Sequence, residues 1–180
     1  MTGRVFAVVG PSGAGKDTLI EAARAQRPDL VVVRRTITRP ETAGGEEFDG
    51  VTEAEFDRLK GLGTFALDWR AHGLRYGIPR LPLDLRHAGR TVLFNGSRAA
   101  LDRAQVVMPD LIVIRVCAPS SVLADRLMAR GRETRDQIEA RLVRASYDVP
   151  AHFPLIDVRN DGPLADGIAR FLTALQPVNA

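Results

Sequence analysis

The chain has 180 residues, 45% hydrophobic and 26% charged, with a formal net charge of +3. That length fits one well-packed domain and is too short for two comfortable ones. No apolar run is long enough to span a bilayer, "MTGRVFAVVG" is broken by Pro11 too soon for a signal peptide, and the single Cys117 excludes an intrachain disulfide or a cysteine-built zinc site. These features predict a cytoplasmic protein with no membrane partner, and Cys117, inside "DLIVIRVCAPSS", reads as an inert strand residue facing the core.

Short apolar runs alternate with amphipathic stretches along the chain. In order, "RVFAVV", "LVVVR", "TVLFN", "DLIVIRVCA" and "PLIDVR" read as strands buried on both faces. Helical spacing runs over Asp17–Arg27, Ser97–Gln105, Ser120–Arg130 and Arg135–Tyr147, and Pro163 opens a last helix to about Leu175. Strand–helix alternation predicts a parallel sheet of about five strands between helix layers, with ligands at the strands' carboxyl ends. The core covers residues 4–35, 90–125 and 150–177. Between Thr36 and Leu81, "TRPETAGGEEFDG" and "AHGLRYGIP" interrupt the alternation, and this insert reads as a substrate-binding flap within a single domain.

The stretch "GPSGAGKDT" follows the first strand and opens a helix, which is the context a phosphate-binding loop requires. Gly10, Gly13 and Gly15 let the backbone curl so that its N–H groups face a phosphate, with Pro11, Ser12 and Ala14 completing the turn. The helix dipole adds positive potential and Lys16 reaches the outer phosphates as a point charge. Asp17 stands where such loops carry a serine or threonine hydroxyl for magnesium. Its carboxylate can bind the metal directly, bind it through water, or favour the helix start, and Thr18 offers a hydroxyl one residue on. A switch-type GTPase is disfavoured because no "NKxD" run surrounds Lys16 or Lys60, the two lysines among 25 basic residues. The arginine excess has two readings, codon bias and phosphate binding. No basic tract interleaved with aromatics is present, so nucleic acid is not an expected partner.

The loop, "TRP" at 38–40, "HGLRYG" at 72–77 and "CAPSSVLADRLMARGRETRDQIEARL" together resemble the guanylate-kinase-like nucleotide kinases from about Arg4 to Asp161. The resemblance implies a P-loop NTPase fold of three α/β/α layers with an acceptor-binding insert and an arginine-bearing lid over residues 126–141, and it implies ATP and Mg2+. It makes Arg126, Arg130 and Arg141 the lid arginines, with Arg126 on the ATP side and Arg130 and Arg141 on the transferring group. Phosphoryl transfer needs positioning and charge neutralisation more than covalent chemistry, and a closing flap of arginines suits it. Arg144, on the same stretch, reads as part of a solvated helix face.

The departures from that family concern the acceptor. The two guanine-reading acids fall at Leu67 and Asn95, while Arg35 and Arg98 are cations where the family has none. Buried acids that accept from base N–H groups are what discriminate a base, so their loss removes guanine recognition. Asp68 adjoins the lost acid, but one residue along a strand it turns to the other face. Arg75, beside Tyr76, reads as drift. "VLFNGSRA" with "WRAHGLRYGIP" is similar to the ribose 1,5-bisphosphate phosphokinase branch, which also carries "GKD" and serves phosphonate breakdown. That resemblance implies a small phosphorylated sugar as acceptor, gripped by Arg35, Arg39, Tyr76, Asn95 and Arg98. His72, His87 and His152 read as loop or surface residues, and Trp69 as core beneath the flap. Two alternatives stay open: a nucleoside monophosphate kinase, if Asp68 or Asp84 reads a base, and a non-catalytic interaction module of the same fold.

Overall fold

The computed structural model describes residues 3–43, 46–131, 134–143 and 148–176. Five strands, β1 (Val5–Val9), β2 (Val31–Val33), β7 (Val92–Asn95), β8 (Ile112–Cys117) and β9 (Leu155–Arg159), form one parallel sheet in the order β2-β7-β1-β8-β9. All five predicted runs are there, but β9, at the sheet's edge, is largely exposed and not buried on both faces as expected; only Val158 among its residues is buried. The residues of β1 show why they had to be apolar throughout: Val5, Ala7 and Val9 enter one buried cluster, and Phe6 and Val8 enter another on the opposite face.

Helices α1 (Lys16–Gln26) and α7 (Leu164–Ala174) cover one face through Leu19, Ile20, Ala23 and Phe171, joined by Leu123 of α5 (Ser120–Ala129). Pro163 stands at the N-cap of α7, where its fixed φ and missing N–H cost nothing. The other face carries α4 (Leu101–Val107), which starts later than its sequence suggested because Arg98–Ala100 forms a 3-10 turn first. Helix α6 (Arg135–Val143) begins where predicted; its expected last residues, up to Tyr147, lie outside the described residues.

The insert has more structure than its glycines and prolines suggested. Strands β3 (Arg35–Ile37), β4 (Phe48–Gly50), β5 (Phe65–Ala71) and β6 (Leu74–Pro79) build a second sheet in the order β4-β3-β6-β5. The β5–β6 hairpin turns at His72 (φ 53) and Gly73 (φ 73), the pair of positive φ values a tight two-residue hairpin needs. Helix α2 (Glu53–Gly61) starts at Thr52, whose hydroxyl accepts from the Glu55 backbone N–H at 3.1 Å. The short α3 (Arg80–Asp84) returns the chain to the main sheet. Leu67, Trp69 and Ile78 of this second sheet share the buried cluster of Val5, Val33 and Phe94. Among the described residues no helix is long and apolar enough to cross a membrane. Cys117, expected in the core, ends β8 half-buried; burial pushes its thiol pKa up, consistent with an unreactive group.

Candidate active site

The loop between β1 and α1 is shaped by three glycines with positive φ: Gly10 (153), Gly13 (86) and Gly15 (91). At Gly10 a Cβ would stand 2.3 Å from the Val116 carbonyl oxygen, so the site demands glycine for closeness as well as conformation. Lys16 folds back over the loop, its Nζ donating to the carbonyls of Gly10 (2.8 Å) and Pro11 (3.2 Å). Burial pushes its pKa down from 10.5 to about 8; Asp17 and Glu46 oppose that shift, while Arg35 and Arg130 add to it. Residues distant in sequence therefore share one electrostatic site.

Beside the loop lies a cleft of about 290 Å³ lined by Asp17, Ile20, Glu21, Val32, Val33, Glu46, Glu47 and Asn95. Asn95, at the end of β7 and only 7% exposed, donates its amide to Asp17 Oδ1 at 2.8 Å. Thr18, the other residue expected to hold metal, is exposed in the first turn of α1 and lies outside this lining. Among the described residues no cluster of three His, Cys, Asp or Glu could hold a metal alone. Mg2+ does not need one, since it is commonly held by one or two carboxylates plus substrate phosphates, and Asp17 supplies a hard oxygen donor of that kind.

Arg35, 8% exposed, is gripped by Glu46: its Nε donates to Oε2 at 3.0 Å and its Nη2 to Oε1. The guanidinium lies 4.9 Å from the Tyr76 ring, which stacks on Trp69 at 5.4 Å. Arg35 and Tyr76, both expected at the acceptor, are brought together here, and the sequence did not reveal the carboxylate that occupies the arginine. Arg39 lies over Phe48 of the flap at 4.3 Å, and Arg98 stands exposed just beyond Asn95. Arg75, read from the sequence as drift, points elsewhere and pairs with Asp57 (2.6 Å) and Glu53 (3.1 Å) of α2 over the Phe56 ring, a structural tie the sequence did not reveal. Leu67 is buried (3% exposed) and Asp68 faces away, ion-paired to Lys60 at 2.8 Å.

The lid arginines separate. Arg130 sits exposed at the end of α5, near enough to Lys16 to influence its charge. The side chain of Arg141 and all of Arg144 lie outside the described residues. Arg126, expected on the ATP side, holds the phosphate loop: its Nη2 donates to the Asn160 carbonyl at 2.8 Å and its Nη1 to those of Gly13 (3.3 Å) and Ala14 (3.4 Å). Asn160 itself was not legible; its buried amide, 4% exposed, donates to Ala14 O at 2.8 Å. The only local signal was a polar residue just past a strand end, "VRND". The histidines are peripheral: His72 at the hairpin turn, His87 exposed, and His152 exposed 3.5 Å from Asp102.

A parallel sheet, a glycine loop opening on a helix and a lysine folded over it define the P-loop fold of the guanylate-kinase type. The chain superposes on a guanylate kinase from Anaplasma phagocytophilum with a TM-score of 0.70, covering 97% of this chain and 85% of that one at 18% identity. A sugar kinase from Janibacter sp. HTCC2649 shares the fold at a TM-score of 0.56, covering 95% and 93% at 17% identity. The chain belongs to the ribose 1,5-bisphosphate phosphokinase family. It is 47% identical over 179 residues to the protein of that name from Ruegeria sp. (strain TM1040), covering 99% of this chain and 94% of the relative. The corresponding protein of Agrobacterium fabrum is 45% identical, with 96% of each covered. A bifunctional ribose 1,5-bisphosphokinase-thymidine phosphorylase from Cupriavidus necator is 49% identical over 176 residues, and the chain spans 29% of that protein's length. No family model matches the chain.

Proposed function

We propose that the chain transfers the γ-phosphoryl group of ATP to the 1-phosphate of ribose 1,5-bisphosphate, giving 5-phosphoribosyl 1-diphosphate, as a step of phosphonate degradation. The observation that carries this reading is that neither position where the guanylate-kinase family keeps a base-reading acid holds one here. Leu67 is sealed in the core, and Asn95 gives its amide to Asp17. A buried cation, Arg35, is present instead, holding a carboxylate. A carboxylate on an arginine fork occupies the position a phosphate would take. We read Glu46 as the group that the acceptor's phosphate replaces, with Tyr76 and Trp69 fixing the guanidinium beneath it. Arg39, Asn95 and Arg98 would hold the ribose or the second phosphate.

An oxygen of the acceptor's 1-phosphate attacks the γ-phosphorus in line, forming a P–O bond as the bond to the β-phosphate oxygen breaks. That oxygen is already ionised near neutral pH, so no general base is required. The loop from Gly10 to Gly15 presents N–H groups to the β- and γ-phosphates, and Lys16 exchanges its two carbonyl partners for phosphate oxygens. Arg130 and Arg141 neutralise charge on the transferring group when the lid closes. Mg2+, held by Asp17 and the nucleotide, would add charge neutralisation there. Incubation with ATP, Mg2+ and ribose 1,5-bisphosphate tests the proposal: phosphorus NMR should show a diphosphate at the sugar's anomeric position. Phosphorylation of GMP with no turnover of the bisphosphate would refute it.

A further inference from the structure

A loop that turns its N–H groups toward a phosphate must turn its carbonyls outward, and every buried carbonyl needs a donor. Donors are present at five positions of this loop. Lys16 Nζ serves Gly10 and Pro11, the Ala14 N–H also serves Pro11 (3.2 Å), and the Leu19 N–H serves Gly15 (3.1 Å). The Gly13 and Ala14 carbonyls are met by side chains from outside the loop, Arg126 of α5 and Asn160 after β9.

Asn160 is tied on every side. Its backbone N–H donates to Cys117 O at 2.8 Å, and its carbonyl accepts from Arg126. Its amide sits between two glycines: a Cβ at Gly15 would meet Nδ2 at 2.5 Å, and one at Gly167 would meet Oδ1 at 2.3 Å. One buried residue, through its backbone and its amide, therefore joins the loop to β8 and α5 and packs against α7.

We propose that Asn160 and Arg126 are positioning residues that clamp the phosphate loop from behind, fixing its N–H groups for nucleotide without contacting the nucleotide's reacting atoms. Arg130, the C-cap of α5, lies four residues on from Arg126, one helical turn, so the same clamp fixes the end of α5 that carries Arg130 relative to Lys16.

The inference rests on the loop holding ATP's phosphates, and the test separates the two. Calorimetry of ATP binding without acceptor is measured for the wild type, Asn160→Ala, Asn160→Asp and Arg126→Gln, followed by KM for each substrate. Loss of one such hydrogen bond corresponds to about tenfold weaker ATP binding. Each single variant should show it, with the acceptor's KM within about twofold of wild type. The Asn160→Ala/Arg126→Gln double variant should lose less than the product of the two, as groups in one network do. Asn160→Asp keeps the shape but removes the donor, and Arg126 is only half-buried, so these variants decide the matter where Asn160→Ala does not fold. Wild-type ATP affinity in Asn160→Asp would overturn the clamp, as would equal rises in both KM values. A wild type that binds no ATP would instead sink the nucleotide reading.

Discussion

On the proposed function the phosphate loop and the acceptor flap each prepare for an anion, and they do so with different materials. In the loop the binding groups are backbone N–H groups, set by three positive-φ glycines and a lysine folded onto carbonyls at 2.8 and 3.2 Å. At the flap they are side chains, and the one argued to meet the acceptor is already partnered: Arg35, at the start of β3, with Glu46. Backbone geometry recognises phosphate in any nucleotide and tolerates little change. Side-chain pairs can be exchanged one at a time, so the flap is where acceptor choice can shift while the loop stays fixed.

The comparison breaks most visibly at Lys16. Lys16→Ala removes the one cation of the loop and should lower kcat by about 10³-fold, as loss of a preorganised charge-stabilising group does. The fold should survive, because Lys16 is half-buried and its partners are carbonyls of the same loop. A variant that kept more than a tenth of wild-type turnover would show that the lid arginines alone carry the charge.

On the flap side, Glu46→Gln weakens a buried ion pair and leaves Arg35 undercompensated. Stability should fall by about 2 kcal/mol, or roughly 4–8 °C in melting temperature for a chain of this size. The acceptor should then bind several-fold more tightly, since a neutral amide competes less well for the guanidinium than a carboxylate does. Ribose 1,5-bisphosphate should accordingly restore more melting temperature to the variant than it adds to the wild type. A smaller shift in the variant would mean that Glu46 helps to bind the acceptor and does not give way to it.

The pH response sharpens the same contrast. Lys16, with its pKa near 8 in the folded protein, titrates where an ordinary lysine does not. The unfolded chain holds that proton up to about 10.5, so through this group the nucleotide-free fold gains stability as pH rises from 8 to 10.5. ATP binds the protonated form, so its affinity should move the opposite way, falling about tenfold between pH 7 and 9. Calorimetry in two buffers of different ionisation enthalpy should detect proton uptake on ATP binding near pH 8. A flat affinity with no buffer dependence would place the Lys16 charge outside nucleotide binding.

What could be read in the sequence follows the same division. Strands buried on both faces announce themselves as apolar runs, and the loop's glycines and lysine are adjacent in the chain. The flap hid its sheet because β3 and β4 have only three residues each, and β5 and β6 mix charged residues, glycine and proline with their apolar ones. Local signals there, Thr52 three residues before Glu55 and the "HG" pair, went unread, although they cap α2 and turn the hairpin. Partnerships across many residues left no local pattern: nothing in "GGEEF" points to Arg35, and nothing in "VRND" points to Ala14. Arg126 makes contacts that its motif did not announce. The residue is where the lid pattern puts it, but its guanidinium is turned to the loop's carbonyls.

The smallest expected effect belongs to Asp68, and it tests whether a base could still be read. Strand alternation sends Leu67 into the core and its neighbour outward, where Asp68 accepts from Lys60 at 2.8 Å and lies 3.5 Å from Arg103. Both basic partners are exposed, and such pairs contribute about 0.2–1 kcal/mol. Asp68→Asn should therefore change stability by less than about 1 kcal/mol and leave the acceptor's KM within about twofold. To reach a bound base, this carboxylate would have to cross its own sheet, leave two cations unpaired and pass Trp69. If Asp68→Asn abolished a GMP-induced rise in melting temperature seen in the wild type, the flap would be reading a base by that route after all. The contrast between a fixed loop and an exchangeable flap would then have to be redrawn around an acid rather than around Arg35.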